Sequence, residues 1–212
     1  MQQCLVYDGR NMPNDDLIII DDAVSPTIQE GTLRTCLDHI QYTFADTTLN
    51  YKDPNLKKVS AVNSLETPLW QNIIYREDIG QNHKTFPQFL PMFMSMGVSC
   101  EKLIRIVVNM TVQSPKTTNI THGIPHIDHP YEPENLMTAL YYVNDSDGDT
   151  VFFNEKYPYQ GPLTVRQTVT PKKGRLVVFD GRIYHAANNP RNNDYRITVN
   201  FNFRPFFLNK KK

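Results

Sequence analysis

The sequence predicts a mainly β protein, a jelly roll of two packed sheets with helices from the N-terminal half laid over one of them. Three observations predict it. From residue 102 the chain changes character: 103–112 is dense in β-branched residues, and strand-type runs follow near 123–128, 136–143, 150–153, 163–170, 175–180, 183–187 and 195–204, separated by turn formers. Helical periodicity is confined to the first hundred residues. A length of 212 residues with 40% apolar content suits one well-buried core and not two full domains. The expected organisation is a single domain, with a helix-containing support region over 1–100, the β core over 101–205 and a tail over 206–212.

In order along the chain, 17–21 reads as a short buried strand, four large apolar residues closed by Asp21-Asp22. Ser25 is an N-cap with Pro26 at the first helical position, and Ile28, Leu33, Leu37 and Ile40 recur at helical spacing to about residue 43, weakened by Gly31. Residues 46–68 are polar, with turn signals at Asp53-Pro54-Asn55 and Thr67-Pro68 and a short element at 59–65. A second helix over 84–98 begins near Pro87, with Pro91 a point of breakage. Asp180-Gly181, between two apolar runs, predicts a hairpin. Asp145-Ser146-Asp147-Gly148-Asp149 predicts an acidic hairpin turn; its Gly is misplaced for a calcium loop, and Lys156 stands where the bidentate Glu would be.

Charge and cysteine usage exclude several classes. Net charge is zero, so nothing global attracts nucleic acid or an anionic membrane. Cys4, Cys36 and Cys100 are odd in number and lack a Cys-x-x-Cys pair, which argues against a disulfide framework or structural zinc. No apolar run is long enough to span a bilayer and no signal peptide is evident, so the expected location is cytoplasmic.

The chemistry concentrates in three short segments. In extended chain the side chains of His126 and Asp128 share a face, so one metal ion can take an imidazole and a carboxylate from them. His185, from a distant strand, supplies a third ligand. Two imidazoles and a carboxylate leave further positions open, as in non-haem Fe(II) sites, although catalytic zinc uses similar ligands. Alternation places Arg196, Thr198 and Asn200 on one face and Ile197, Val199 and Phe201 on the other. A buried Arg196 demands an anion, and its planar fork matches a carboxylate. His129 falls on the opposite face from His126, and His39, His83 and His122 lack partners at ligand spacing, so none of the four joins the metal set.

The ordered set His-x-Asp, distal His and Arg-x-Thr resembles the Fe(II)- and 2-oxoglutarate-dependent dioxygenases, in particular the prolyl 4-hydroxylase-like branch, over roughly residues 100–205. Thr138-Ala139-Leu140-Tyr141-Tyr142-Val143-Asn144 resembles the strand that follows the His-x-Asp pair in that family. Gly148-Asp149-Thr150-Val151-Phe152-Phe153 resembles its Gly-Gly-x-x-x-Phe segment, with Asp147 in place of the first glycine, and Gly174-Arg175-Leu176-Val177-Val178-Phe179-Asp180 resembles the strand leading to the distal His. The resemblance implies a double-stranded β-helix, iron held by His126, Asp128 and His185, and 2-oxoglutarate held through its 5-carboxylate by Arg196 with Thr198 and Tyr142. It further implies 2-oxoglutarate and O2 as co-substrates, decarboxylation to succinate, and hydroxylation of a peptide or protein prolyl residue or a small molecule. Residues 113–125 have the length and polarity of a mobile lid or of an ordinary surface loop. Two other classes stay open: a cupin-like metalloprotein that does not use 2-oxoglutarate, which would not depend on Arg196, and a noncatalytic jelly roll for binding or assembly, which would carry no metal.

Overall fold

The computed structural model describes residues 17–45, 64–65, 69–78, 80–98, 100–113, 122–128 and 135–205. Strand β1 (Leu17–Ile20) is followed by helix α1 (Pro26–Arg34), strands β2 (Thr43–Ala45), β3 (Ser64–Leu65), β4 (Leu69–Arg76) and β5 (Gln81–Asn82), and helix α2 (Phe86–Ser95). The β-rich half then runs β6 (Lys102–Val112), β7 (His122–Gly123), β8 (Met137–Tyr142), β9 (Thr150–Lys156), β10 (Val165–Val169), β11 (Leu176–Asp180), β12 (Ile183–Ala187) and β13 (Tyr195–Arg204). One sheet has the order β1-β11-β8-β13-β6-β4-β2 with β5 on β4, the second has β10-β9-β12, and β3 pairs β7 in parallel. Ladders in the two larger sheets are antiparallel. The chain crosses between the two larger sheets from β8 to β9, β10 to β11, β11 to β12 and β12 to β13, which is the jelly-roll path.

The apolar and polar residues explain the layering. Ile197, Val199, Phe201 and Phe203 of β13 and Ala139 and Tyr141 of β8 face α1 and α2, joining Cys36, Phe89, Met92 and Phe93 in the main core. Phe93 stacks on Phe201 with centroids 5.0 Å apart. Leu140, Tyr142, Phe152, Val177, Phe179 and Ile183 fill the gap between the two sheets. Because β8 and β13 are covered on both faces, nearly every side chain they carry is buried, and the polar residues among them must be satisfied inside the protein. No helix among the described residues is long and apolar enough to cross a membrane. Cys36 and Cys100 are free thiols, pushed up by burial to about 12 and about 11.

Several expectations are corrected. The first helix is nine residues long and passes into a five-residue π turn at Thr35–His39, ending at Ile40 rather than near 43. A π turn adds a residue to the helical repeat, so Cys36 is buried while Leu37 is left 46% exposed. Pro91 lies inside α2 without ending it; the bond that it cannot donate would have gone to residue 87. Strand β4 has no counterpart in the sequence reading, and its ladder with β6 shifts register between Ile73 and Tyr75, which breaks the alternation that would have revealed it. Asp180-Gly181 is not a hairpin: β11 pairs β1 and β8 in the large sheet while β12 pairs β9 in the small one, so the turn is a corner between sheets. Its Gly181 N–H donates to Leu136 O, and Asp180 Oδ1 accepts from the Arg182 N–H. The 145–149 segment is likewise an inter-sheet loop, where Asp147 accepts the backbone N–H groups of Arg191 and Asn192. The run expected at 123–128 is a strand only at His122–Gly123, with an isolated bridge at His126; Pro125 lacks the N–H a ladder needs. The tail, His129, most of the proposed lid and most of the 59–65 element lie outside the described residues.

Candidate metal and anion site

One bridge places both histidines. His126 N–H donates to His185 O at 2.9 Å and His185 N–H returns to His126 O at 3.0 Å, which sets the loop carrying His126 against β12. The Nδ1 of His126 lies 3.0 Å from Ile124 O, and that of His185 lies 3.2 Å from Ile183 O. A carbonyl only accepts, so each Nδ1 carries the proton and each Nε2 keeps its lone pair for a ligand. Asp128 completes the group, and the ligand atoms of His126, Asp128 and His185 all lie within 4.8 Å of one another. Among the described residues no other group meets that criterion.

The protonation states suit a cation. Burial, then the neighbouring His185, pushes His126 down to about 4, so it is a neutral donor at ordinary pH. Burial alone would raise Asp128, but its neighbours His185, Arg105 and His126 outweigh it and hold the carboxyl well below its usual range. Arg105 also donates from Nη1 to the Asp128 backbone carbonyl at 3.1 Å, fixing the chain that carries the ligand. Two imidazoles and one carboxylate, preset in orientation by their hydrogen bonds, fit a divalent transition metal.

The other end of the same cleft holds Arg196, 3% exposed. Its Nη2 donates to Thr150 Oγ1 at 2.7 Å, and the Tyr142 hydroxyl donates to that same oxygen at 2.7 Å. The guanidinium carbon also lies 5.5 Å from the centre of the Tyr142 ring. Burial raises the Tyr142 hydroxyl, which keeps it a neutral donor, and burial lowers Arg196 against the opposing pull of Tyr142. Among the described residues Arg196 has no ion-pair partner, and its Nε is buried with nothing to donate to. Thr111, opposite Arg196 in the ladder of β6 and β13, has an equally orphaned hydroxyl. Thr150 Oγ1, having accepted twice, still has its own proton to give. Unsatisfied donors around a buried guanidinium describe a pocket for a carboxylate.

Gly148 is needed for this arrangement. A Cβ there would stand 2.7 Å from Asn188 O and 3.1 Å from Arg196 Cδ, so the glycine lets the loop lie against the arginine stem. Asp147, where the resembling family has glycine, points to the 191–193 loop instead.

The residues expected from the sequence converge: His126, His185, Arg196, Thr198 and Asn200 all line the cleft, with Asp128 beside them. Tyr142 is on the inner side and Tyr141 on the helix side. His122 is buried edge-on to Phe153, with Nδ1 2.7 Å from Gly123 O, and His83 bonds Thr85. Sequence reasoning missed Thr150, Thr111, Thr138, Asn202 and Arg105. Asn202 could have been found, being two residues beyond Asn200 on the same face of β13; Thr150 and Arg105 carry no pattern of their own.

Residues 116–204 match the family of the 2OG-Fe(II) oxygenase superfamily. No curated protein matches the chain. Among solved structures, a prolyl hydroxylase from Trichoplax adhaerens, in complex with a hypoxia inducible factor peptide, superposes with a TM-score of 0.55 at 14% identity, covering 89% of this chain and 84% of that one. A Pseudomonas putida prolyl-4-hydroxylase gives 0.50 at 12%, with coverages of 90% and 93%. The non-haem α-ketoglutarate-dependent epimerase SnoN of nogalamycin biosynthesis gives 0.55 at 13%, with coverages of 90% and 79%. At these identities the likeness is one of fold.

Proposed function

We propose that this chain is a member of the 2OG-Fe(II) oxygenase superfamily, whose family model matches residues 116–204, and a prolyl 4-hydroxylase-like enzyme acting on a prolyl residue of a peptide or protein. Iron would be held by His126 Nε2, Asp128 and His185 Nε2, and the 5-carboxylate of 2-oxoglutarate by Arg196, with Thr198 beside it and Tyr142 behind. When bound, the iron supplies O2 activation, coupled to conversion of 2-oxoglutarate to succinate and CO2, with one oxygen atom going to succinate and the other into a substrate C–H bond.

The observation that carries the reading is a single cleft with a preset ligand group at one end and a buried guanidinium with an unpaired Nε at the other. An unpaired buried charge costs several kcal/mol, by order of magnitude, and a dicarboxylate co-substrate removes that cost on binding. Each residue then has a definite task. Arg196 orients the co-substrate by its far end, and Thr150 relays the Tyr142 and Arg196 hydrogen bonds into one fixed array. Leu140 and Phe179, in the apolar layer beside the site, limit water. The prolyl preference is supported by the resemblance of the segments around Tyr142 and Phe152 and by two prolyl hydroxylases among the structural neighbours. The free thiols of Cys36 and Cys100 favour a reducing, cytoplasmic location.

Anaerobic reconstitution with Fe(II), followed by O2 and measurement of succinate with and without proline-containing peptides, tests the reading. The expected result is peptide-stimulated succinate matched by a hydroxylated peptide. Succinate without any peptide stimulation would remove the prolyl assignment and keep the oxygenase; no succinate at all from the metal-loaded protein would remove both.

A further inference from the structure

Around Asp128 the two carboxylate oxygens are treated differently. Oδ2 accepts from Asn202 Nδ2 at 3.0 Å and from Thr138 Oγ1 at 3.2 Å. The same Asn202 nitrogen donates its second hydrogen to Thr138 Oγ1 at 2.9 Å, so the hydroxyl accepts from the amide and passes its own proton to the carboxylate. Asn202 and Thr138 sit opposite each other in the ladder of β13 and β8, and both are fully buried. Oδ1, by contrast, stands 3.7 Å from His185 Nε2 on the side of the two imidazoles. Among the described residues the side-chain donor near it is Asn200 Nδ2, 3.4 Å from both oxygens, at the limit of a hydrogen bond, which does not favour either.

We infer that Asn202 and Thr138 form a clasp that makes Asp128 a one-oxygen metal ligand, committing Oδ2 to the protein and leaving Oδ1 for the ion. This rests on the iron reading above and assigns positioning residues within it. The clasp is geometrically stiff because both hydrogens of one amide and the single proton of one hydroxyl are used, and neither side chain can turn without breaking two bonds. Its consequence concerns the co-substrate. A carboxylate free to rotate can close on a metal through both oxygens, occupying a position that the keto acid needs. Holding Oδ2 back keeps that position open. Hydrogen-bonded partners of metal ligands act through orientation in just this manner.

The test uses the full chain, with Mn(II) as the metal probe. Infrared difference spectra of Mn(II)-loaded minus metal-free protein report the separation between the symmetric and antisymmetric carboxylate stretches, wide for one-oxygen binding and narrow for two-oxygen binding. Wild type should show the wide separation. Thr138→Val, nearly isosteric and so able to keep the fold, and Asn202→Leu should both narrow it and weaken 2-oxoglutarate binding to the Mn(II) protein by about tenfold, with thermal unfolding recorded as the control for folding. Wild-type separation and wild-type 2-oxoglutarate affinity in Thr138→Val would overturn the clasp, as would a narrow separation in the wild type. A wild-type chain that binds no Mn(II) would instead overturn the iron reading, and the clasp with it.

Discussion

Replacing Arg196 by lysine keeps a positive charge at the end of β13 while removing the planar fork. In the structure one terminal nitrogen of Arg196 is already committed to Thr150 Oγ1, and Nε has no partner. The donors left for a carboxylate are therefore Nε–H, the second hydrogen of that terminal nitrogen and the other terminal nitrogen, a planar set that a lysine ammonium cannot reproduce. At least one charge-assisted hydrogen bond is lost, worth roughly 1.5–3 kcal/mol, so the affinity for 2-oxoglutarate should fall by at least about tenfold. Arg196→Ala should do worse, because a carboxylate would then enter a buried pocket with no charge to meet it. The assay is titration of the anaerobic Fe(II) protein with 2-oxoglutarate, followed through the charge-transfer band of the complex, with Fe(II) affinity measured separately. Iron binding should stay near wild type, since Arg196 bonds Thr150 and lies against the Tyr142 ring rather than meeting the histidines. An unchanged titration in Arg196→Ala would refute the assignment and favour a metalloprotein that does not use 2-oxoglutarate. Parallel losses of iron and 2-oxoglutarate would show that the substitution had damaged the fold instead.

Further outcomes follow from the same geometry. His126→Ala or His185→Ala should abolish tight Fe(II) or Mn(II) binding by removing one of only three protein ligands, and Asp128→Glu should bind metal weakly with little turnover; full metal occupancy in both histidine variants would refute the triad. Gly148→Ala places a Cβ 2.7 Å from the Asn188 carbonyl and 3.1 Å from Arg196 Cδ. It should lower stability by about 1–3 kcal/mol and weaken 2-oxoglutarate binding, and wild-type behaviour in both thermal unfolding and titration would contradict the close approach. For pH, His126 titrates at about 4 in the folded, metal-free chain against 6.5 for a free imidazole. The unfolded state binds more protons between those values, so the histidine's stabilising contribution is lost as pH falls through that window. Urea unfolding of metal-free protein at several pH values should show this, with a ceiling of about 3 kcal/mol, and the dependence should flatten in His126→Gln; equal pH profiles for wild type and variant would refute it.

Much of the fold was legible because its information is local. The β-branched runs after residue 102 needed only alternation and turn formers to be recognised, and alternation alone separated Arg196, Thr198 and Asn200 from Ile197, Val199 and Phe201, as the cleft and core of the folded protein do. The His-x-Asp pair was readable for the same reason, since two residues of extended chain share a face. Signals failed where local geometry departs from the ideal repeat: the π turn that exposes Leu37, the register shift that hides β4, and the Asp180-Gly181 turn. An Asp-Gly pair specifies a tight reversal of direction, but whether the two strands it joins pair with each other depends on which neighbours compete for their edges. Here β8 takes β11 and β9 takes β12. The residues that support the site were decided at the same level. Thr150 meets Tyr142 and Arg196, and Thr138 meets Asn202 and Asp128, across separations of 8 to 64 residues. The sequence by itself determined which residues could ligate a metal or grip a carboxylate, because those capacities belong to the side chains. Only tertiary structure decided which hydroxyls and amides complete them, because a hydrogen bond depends on a separation in space that chain order does not encode.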